Sequence, residues 1–254
     1  MNWLVILGLL FLAAWAAADT AAFGQFMVGQ PLASGWLAGV IIGRPIEGLF
    51  LGGALQMLWS RLAPVGAAAY PDVGPATVGG IGSLHFWTAS IRGAGEPATW
   101  SERFGFVSSP WEWRSALDPM ALMLGLGIAL ATGAVGQRLV VAMRRHNADL
   151  GRAADAAAER GDFGGIERAN LLGLTRAAGL GVVVTAGALL VGAVGATLAS
   201  RVPHAPAGSP NPGVLLFWWI ALAALGTALW SGGRRDWLWL LAGVAGGAIF
   251  LVTR

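Results

Sequence analysis

The chain has no cysteine among its 254 residues. Disulfides, iron–sulfur clusters and thiolate metal sites are therefore excluded. It also has no lysine, all 16 basic residues being arginine, so a phosphate-binding loop of the G-x-x-x-x-G-K-[ST] type cannot form. Charge of either sign is scarce, at 11% of residues, where an average soluble domain carries roughly 25%. His85, His146 and His204 stand far apart and match no nucleophile elbow or metal-ligand spacing. Nothing here suits covalent catalysis, ATP hydrolysis or a resident metal, and no cofactor is expected.

What fills the chain instead is apolar sequence: 56% hydrophobic residues and a mean hydropathy of +0.66. The runs are long and lack the alternation of barrel strands, so the expected class is an all-α polytopic membrane protein. The sequence pI is near 10.9, yet the net charge is only +3. Its arginines are dispersed among acids rather than gathered in a stripe. They read as flanks of membrane spans, and no nucleic-acid partner is expected.

Residues 3–18 form an apolar run ending in Ala16-Ala17-Ala18-Asp19. It imitates a cleavable leader but lacks the basic start, so it is expected to be a retained short helix with Asp19 at headgroup level. Residues 24–72 concentrate the information. Pro31, Pro45, Pro64 and Pro71 cut this apolar stretch, and Gln25, Gln30, Gln56 and Asp72 place polar groups in it. Gly35, Gly39 and Gly43 recur every four residues, and Gly48 and Gly52 repeat the spacing. Such a stripped face admits another segment at backbone distance. The pieces 32–42 and 46–59 are too short to span upright. They form either a helix pair turning at Arg44 and Glu47 or a re-entrant hairpin. The glycine-rich stretch 64–90 is expected to be unwound or re-entrant, so the N-terminal part contains broken helices.

Three regions follow. Residues 1–90 are an N-terminal membrane region holding the polar groups. Residues 91–118 are a polar, tryptophan-containing insertion loop. Residues 119–254 are a C-terminal helical region with spans at 120–143, 171–200, 214–230 and 237–252. Its connector, 144–170, holds five arginines and five acidic residues. Helix is expected up to Glu159, stopped by Gly161 and Gly164-Gly165. Counting arginines puts the connector and the 234–235 turn in the cytoplasm and the 201–213 loop outside; the parity of the spans then puts the 91–118 loop and the C-terminus outside.

Asp72, in the apolar, bent setting Ala-Ala-Tyr-Pro-Asp-Val-Gly-Pro, is either a functional intramembrane carboxylate or a cap on the amides that follow it. Gln56 offers both donor and acceptor to a hydroxyl-bearing solute, or else it joins two helices. Gln25 reads as a ligand contact, and Gln30 is open between the two roles. Trp59 and Tyr70 have rings that can stack on a solute face, although a lone tryptophan among 13 is ordinarily a membrane anchor. Broken, closely packed helices around uncharged polar groups point to a neutral polar solute.

The strings GQFMVGQPL, G-x-x-x-G-x-x-x-G, GLFLGGALQML and PVGAAAYPD follow in that order through 24–72. They resemble the membrane subunit IIC of the mannose/fructose/sorbose family of the sugar phosphotransferase system. The segment HNADLGRAADAAAERGDFGGIERANLLGL resembles the polar segment that the family carries after its central helices. The two blocks cover about a third of the chain. The resemblance implies a sugar-translocating permease subunit in the bacterial cytoplasmic (inner) membrane, surrounded by lipid and spanning it several times. It implies a neutral hexose-like sugar bound near the midplane by Asp72, Gln56, Gln25 and Gln30, together with a IID membrane subunit. IIC–IID units are expected to oligomerise. Cytoplasmic IIA and IIB proteins would carry the phosphoryl group, so this chain is no enzyme by itself. Gln56 stands where some members have Glu, and Gln30 where members often have Arg. These departures and the 91–118 insertion leave a second expectation, a non-transporting membrane sugar sensor or scaffold.

Overall fold

The computed structural model describes residues 1–21, 26–60, 72–92 and 119–201, and within them every regular element is helical. Six helices follow one another: α1 (Trp3–Ala21), α2 (Pro31–Ile41), α3 (Pro45–Ser60), α4 (Val73–Arg92), α5 (Pro119–Glu159) and α6 (Phe163–Arg201). Gln25, Tyr70, most of the 91–118 insertion and the spans expected at 214–230 and 237–252 lie outside the described residues. The all-α membrane class is what the fold shows: α5 and α6 are each long and apolar enough to cross a bilayer. Large apolar side chains such as Leu4, Phe11, Val183 and Leu190 face outward, while alanine and glycine fill much of the interior. That arrangement suits lipid, where packing rather than water exclusion holds helices together.

The centre of the bundle is α4, which packs on each of the other five helices. It is a continuous helix from Val73 to Arg92, which corrects the expectation that 64–90 unwinds; 61–71 lies outside the described residues. Its glycines admit neighbours and do not break it. A Cβ on Gly80 would lie 2.6 Å from the Gly125 carbonyl oxygen of α5, and one on Gly79 would strike Ala188 of α6. In lipid a helix keeps its backbone satisfied internally, so glycine runs there favour close packing over unwinding. Gly192 of α6 meets Ser83, and the Thr185 hydroxyl donates to the Pro75 carbonyl at 2.8 Å. These pairs make α6 parallel to α4. Gly136 meets Asp72 while Ala129 meets Gly80, so α5 runs antiparallel to both.

The short helices α2 and α3 form a hairpin. Gln30 and Arg44 precede Pro31 and Pro45 at the first helical positions, where proline costs no hydrogen bond. Between the helices, Arg44 N–H donates to the Gly39 carbonyl at 2.6 Å and Gly43 N–H to that of Val40 at 3.1 Å. This Schellman closure requires a left-handed residue, and Gly43 supplies it with φ 74°. Arg44 and Glu47 pair at 2.9 Å on the corner. The glycine face meets a segment of this same chain: a Cβ on Gly35 would lie 2.7 Å from the Gly48 carbonyl oxygen, and one on Gly39 3.0 Å from the Gly48 Cα. Gly35 and Gly39 therefore pack on Gly48 and Gly52, and Gly43 serves the turn. At about 16 and 24 Å, α2 and α3 are each shorter than a ~30 Å hydrocarbon core.

The connector 144–170 continues the spans as helix. As expected, α5 runs to Glu159 and Gly161 ends it, with φ 68°. Gly164 and Gly165, expected to break helix, instead lie in the first turn of α6. There the Asp162 carboxylate accepts the Gly165 N–H at 3.0 Å, a cap that starts the new helix. The arms pack through Ala157 and Gly165, and Arg176 donates to Asn147 Oδ1 at 2.9 Å.

Candidate functional site

Four helix ends gather at one level of the bundle. Asp19 is near the end of α1, Gln30 precedes α2, Gln56 and Trp59 are near the end of α3, and Asp72 precedes α4. Opposite them lie Gly133 and Gly136 of α5 and Val184 of α6. Beyond this level α5 continues for about 35 Å to Glu159, so the polar residues occupy the end of the bundle from which the α5–α6 hairpin projects.

Asp72 is the most consequential of them. Its residue surface is only 9% exposed, and its Oδ2 atom has no hydrogen-bond partner among the described residues. Its backbone carbonyl accepts the Ala76 N–H at 3.2 Å, starting α4. The carboxylate makes no bond to the amides of that first turn, so the capping role is not what the structure shows. The side chain is pressed against α5: a Cβ on Gly136 would lie 2.9 Å from the Asp72 Cβ and 3.4 Å from Val184 Cγ2. A buried polar atom without a partner costs about 1–3 kcal/mol, more when charged. A fold that carries such an atom holds an acceptor whose hydrogen-bonding capacity is unspent among the described residues.

Gln30 and Gln56 are brought together, with Gln56 Nε2 donating to Gln30 Oε1 at 3.0 Å. Gln56 Oε1 lies 3.5 Å from the Leu32 N–H, in the first turn of α2. The pair thus joins the ends of α2 and α3, which is the helix-joining role weighed for Gln56, and both polar groups of the Gln56 amide are engaged internally. Its link to Asp72 runs through the backbone. A Cβ on Gly74, two residues after Asp72, would lie 3.0 Å from both the Gly29 carbonyl oxygen and the Ala16 Cβ. Gly29 immediately precedes Gln30.

Asp19 is the neighbour of these residues that sequence reasoning missed. It is buried against protein, at 5% exposure. One carboxylate oxygen accepts the Phe26 N–H at 2.6 Å and the other the Gly29 N–H at 3.1 Å. The turn it holds contains Met27 at φ 63°, a conformation that costs a non-glycine residue free energy. The bonds reach seven and ten residues ahead and obey no helical or strand period, so no pattern announces them. Among the described residues no cluster of His, Asp and Glu could hold a metal.

A helical bundle packed on glycines, with two helices long and apolar enough to cross a bilayer, defines a polytopic α-helical membrane protein. The sequence model of the "PTS system sorbose-specific iic component" family matches residues 4–209. The chain belongs to that family, the IIC membrane permease components of the mannose-type sugar phosphotransferase systems. The fold is similar to that of a chain in the cryo-EM structure of the mannose transporter ManYZ with microcin E492 (MceA), at TM-score 0.54 and 18% identity. The match covers 100% of this chain and 94% of that one. A second solved structure, described only as a membrane protein, is similar at TM-score 0.52 and 19% identity, again over 100% and 94% of the two chains. No curated protein matches.

Proposed function

We propose that the chain is the sugar-translocating subunit of its transport system and binds a neutral hexose at Asp72. The observation that carries this reading is the buried Asp72 Oδ2, which has no hydrogen-bond partner among the described residues. A hexose entering a low-dielectric site must exchange its hydrogen bonds to water for bonds to protein, and an ionised carboxylate accepts from hydroxyls more strongly than an amide does. Gln30, exposed at the same end of the bundle, keeps an amide nitrogen that Gln56 does not engage. Gln25 remains a proposed contact, and Gln56 acts by holding the α2–α3 hairpin. With the arginine-rich hairpin in the cytoplasm, the site lies toward the cytoplasmic side rather than at the midplane.

The rest of the reading follows from family membership. A IID subunit completes the permease, and the similar fold of a ManYZ chain supports such a partner. IIA and IIB proteins supply the phosphoryl group, so this chain transfers none itself, and the membrane is the bacterial cytoplasmic one. Because Gly35 and Gly39 are used within the chain, IID meets another face.

The experiment is calorimetry with D-mannose and L-sorbose on the purified full chain with its co-purifying membrane partner. Asp72→Asn keeps the shape and removes the charge-assisted contact. Affinity is expected to fall by about 1.5–3 kcal/mol, roughly ten- to a hundredfold. Unchanged affinity in a variant that assembles normally would overturn the assignment.

A further inference from the structure

The tryptophans of the described residues divide into two groups. Trp3, Trp15 and Trp36 are exposed on the bundle surface, as membrane anchors are. Trp59 and Trp87 are buried, and they lie toward opposite ends of α4. Trp59, at 5% exposure, belongs to the end that holds Asp72. A Cβ on Gly133 would lie 3.1 Å from Trp59 Cζ2, 3.6 Å from Cη2 and 3.5 Å from the Ala76 Cβ. The six-membered edge of the indole therefore lies over Gly133, beside the α4 residue one turn beyond Asp72. Gly136, one turn further along α5, carries Asp72 itself. The indole and the open carboxylate occupy successive turns of one α5 face, about 4.5 Å apart along its axis. The neighbours at this face are small: Gly133, Gly136, Ala76 and Val184.

This juxtaposition has a chemical meaning. A hexopyranose has two kinds of surface, a rim of hydroxyls and a face of C–H groups. Solute pockets commonly combine an aromatic wall with a few placed polar groups, and an indole offers the largest apolar plane of any side chain with an electron-rich face. We propose that Trp59 is the stacking residue of the Asp72 site and sets its preference for a ring-form sugar. Asp72 accepts from the hydroxyl rim while the indole covers the C–H face. Gly133 and Gly136 let the indole edge and the Asp72 side chain lie directly on α5, since a methyl at either would displace its neighbour. This inference rests on the sugar-binding reading above.

The test uses the purified full chain with its co-purifying partner, titrated with D-mannose and with the open-chain polyol D-mannitol. The polyol has a similar set of hydroxyls but no ring face. Trp59→Leu should weaken D-mannose binding by about tenfold and D-mannitol by far less, whereas Trp59→Phe, which keeps a smaller π face, should stay within about threefold for D-mannose. A packing role alone would lower both ligands together, and that outcome overturns the proposal. If Trp59→Leu keeps the wild-type D-mannose affinity while Asp72→Asn loses it, the stacking role fails and the sugar site stands. If neither variant changes affinity, the sugar site itself fails. Should Trp59→Leu not assemble, Gly133→Ala decides, because its methyl displaces the indole edge. Loss of D-mannose preference over D-mannitol supports the proposal, and an unchanged preference overturns it.

Discussion

The Asp19 carboxylate receives the Gly29 N–H at 3.1 Å across ten residues of chain, and its other oxygen receives that of Phe26. One side chain thus fixes the path from the end of α1 to Gln30. Asp19→Ala leaves two amides without their acceptor, at about 1–3 kcal/mol for each group that stays buried. Thermal unfolding in detergent should show a clear fall in midpoint, with Asp19→Asn falling less because its amide oxygen still accepts one bond. Hydrogen exchange at Phe26 and Gly29 should quicken in both variants. An unshifted midpoint and unchanged exchange in Asp19→Ala would contradict the clamp.

Glycines in this chain differ in what surrounds them, and a pair of alanine substitutions separates the cases. A Cβ on Gly48 would collide with the Gly35 carbonyl oxygen, and backbone cannot swing aside as a side chain can. Gly48→Ala should therefore spread the α2–α3 hairpin and destabilise by about 1–3 kcal/mol. Gly151 lies within α5, and a methyl group added there would meet nothing within 4 Å. Gly151→Ala should stabilise by about 0.4–1 kcal/mol through helix propensity alone. Equal effects of the two on the unfolding midpoint would contradict this distinction.

The absence of cysteine makes sidedness simple to read. Ser60, at the end of α3, and Ala158, near the hairpin tip, are both exposed. They lie on the same side of the bundle centre. Single Ser60→Cys and Ala158→Cys variants should react with an impermeant maleimide in inverted vesicles and resist it in intact cells. Labelling of Ala158→Cys in intact cells would reverse the topology derived from arginine counts. Labelling of the two positions from opposite sides would contradict the shared level of the helix ends.

The bond from Thr185 to the Pro75 carbonyl ties α6 to the first turn of α4, close to Asp72. Thr185→Val keeps the shape and removes the donor. Interhelical bonds of this kind in membranes contribute about 0.6 kcal/mol, up to about 1.7. The expected result is a small fall in thermal midpoint with sugar affinity nearly preserved. A loss of affinity comparable to that of Asp72→Asn would mean that the α4–α6 contact governs the site directly.

What the sequence made legible followed periods and residue types. The helices α5 and α6 and the stop at Gly161 come from long apolar runs and local breaker chemistry. The polar groups near α2, α3 and α4 stood out because glutamine and aspartate are rare in apolar helices. One reading failed because glycine reports close approach rather than unwinding: Gly79, Gly80 and Gly82 lie in an intact helix. The face of Gly35 and Gly39 does admit another segment, and glycine spacing alone did not say that the segment is Gly48 and Gly52 of the same chain. The Asp19 clamp was illegible because its partners are backbone amides in a turn, and any sequence provides those.

The overhang of the hairpin sets a ruler for whatever works beside it. From Gly136, where α5 leaves Asp72, unbroken helix continues for about 35 Å to Glu159. A compact domain of about 100 residues has a radius of gyration near 13 Å, which makes it roughly 34 Å across. A single small protein resting along the hairpin would therefore reach from the tip to the level of Asp72 without unfolding or extending an arm. A catalytic protein that received a solute at this end of the bundle could hold the tip and face the exit at the same time.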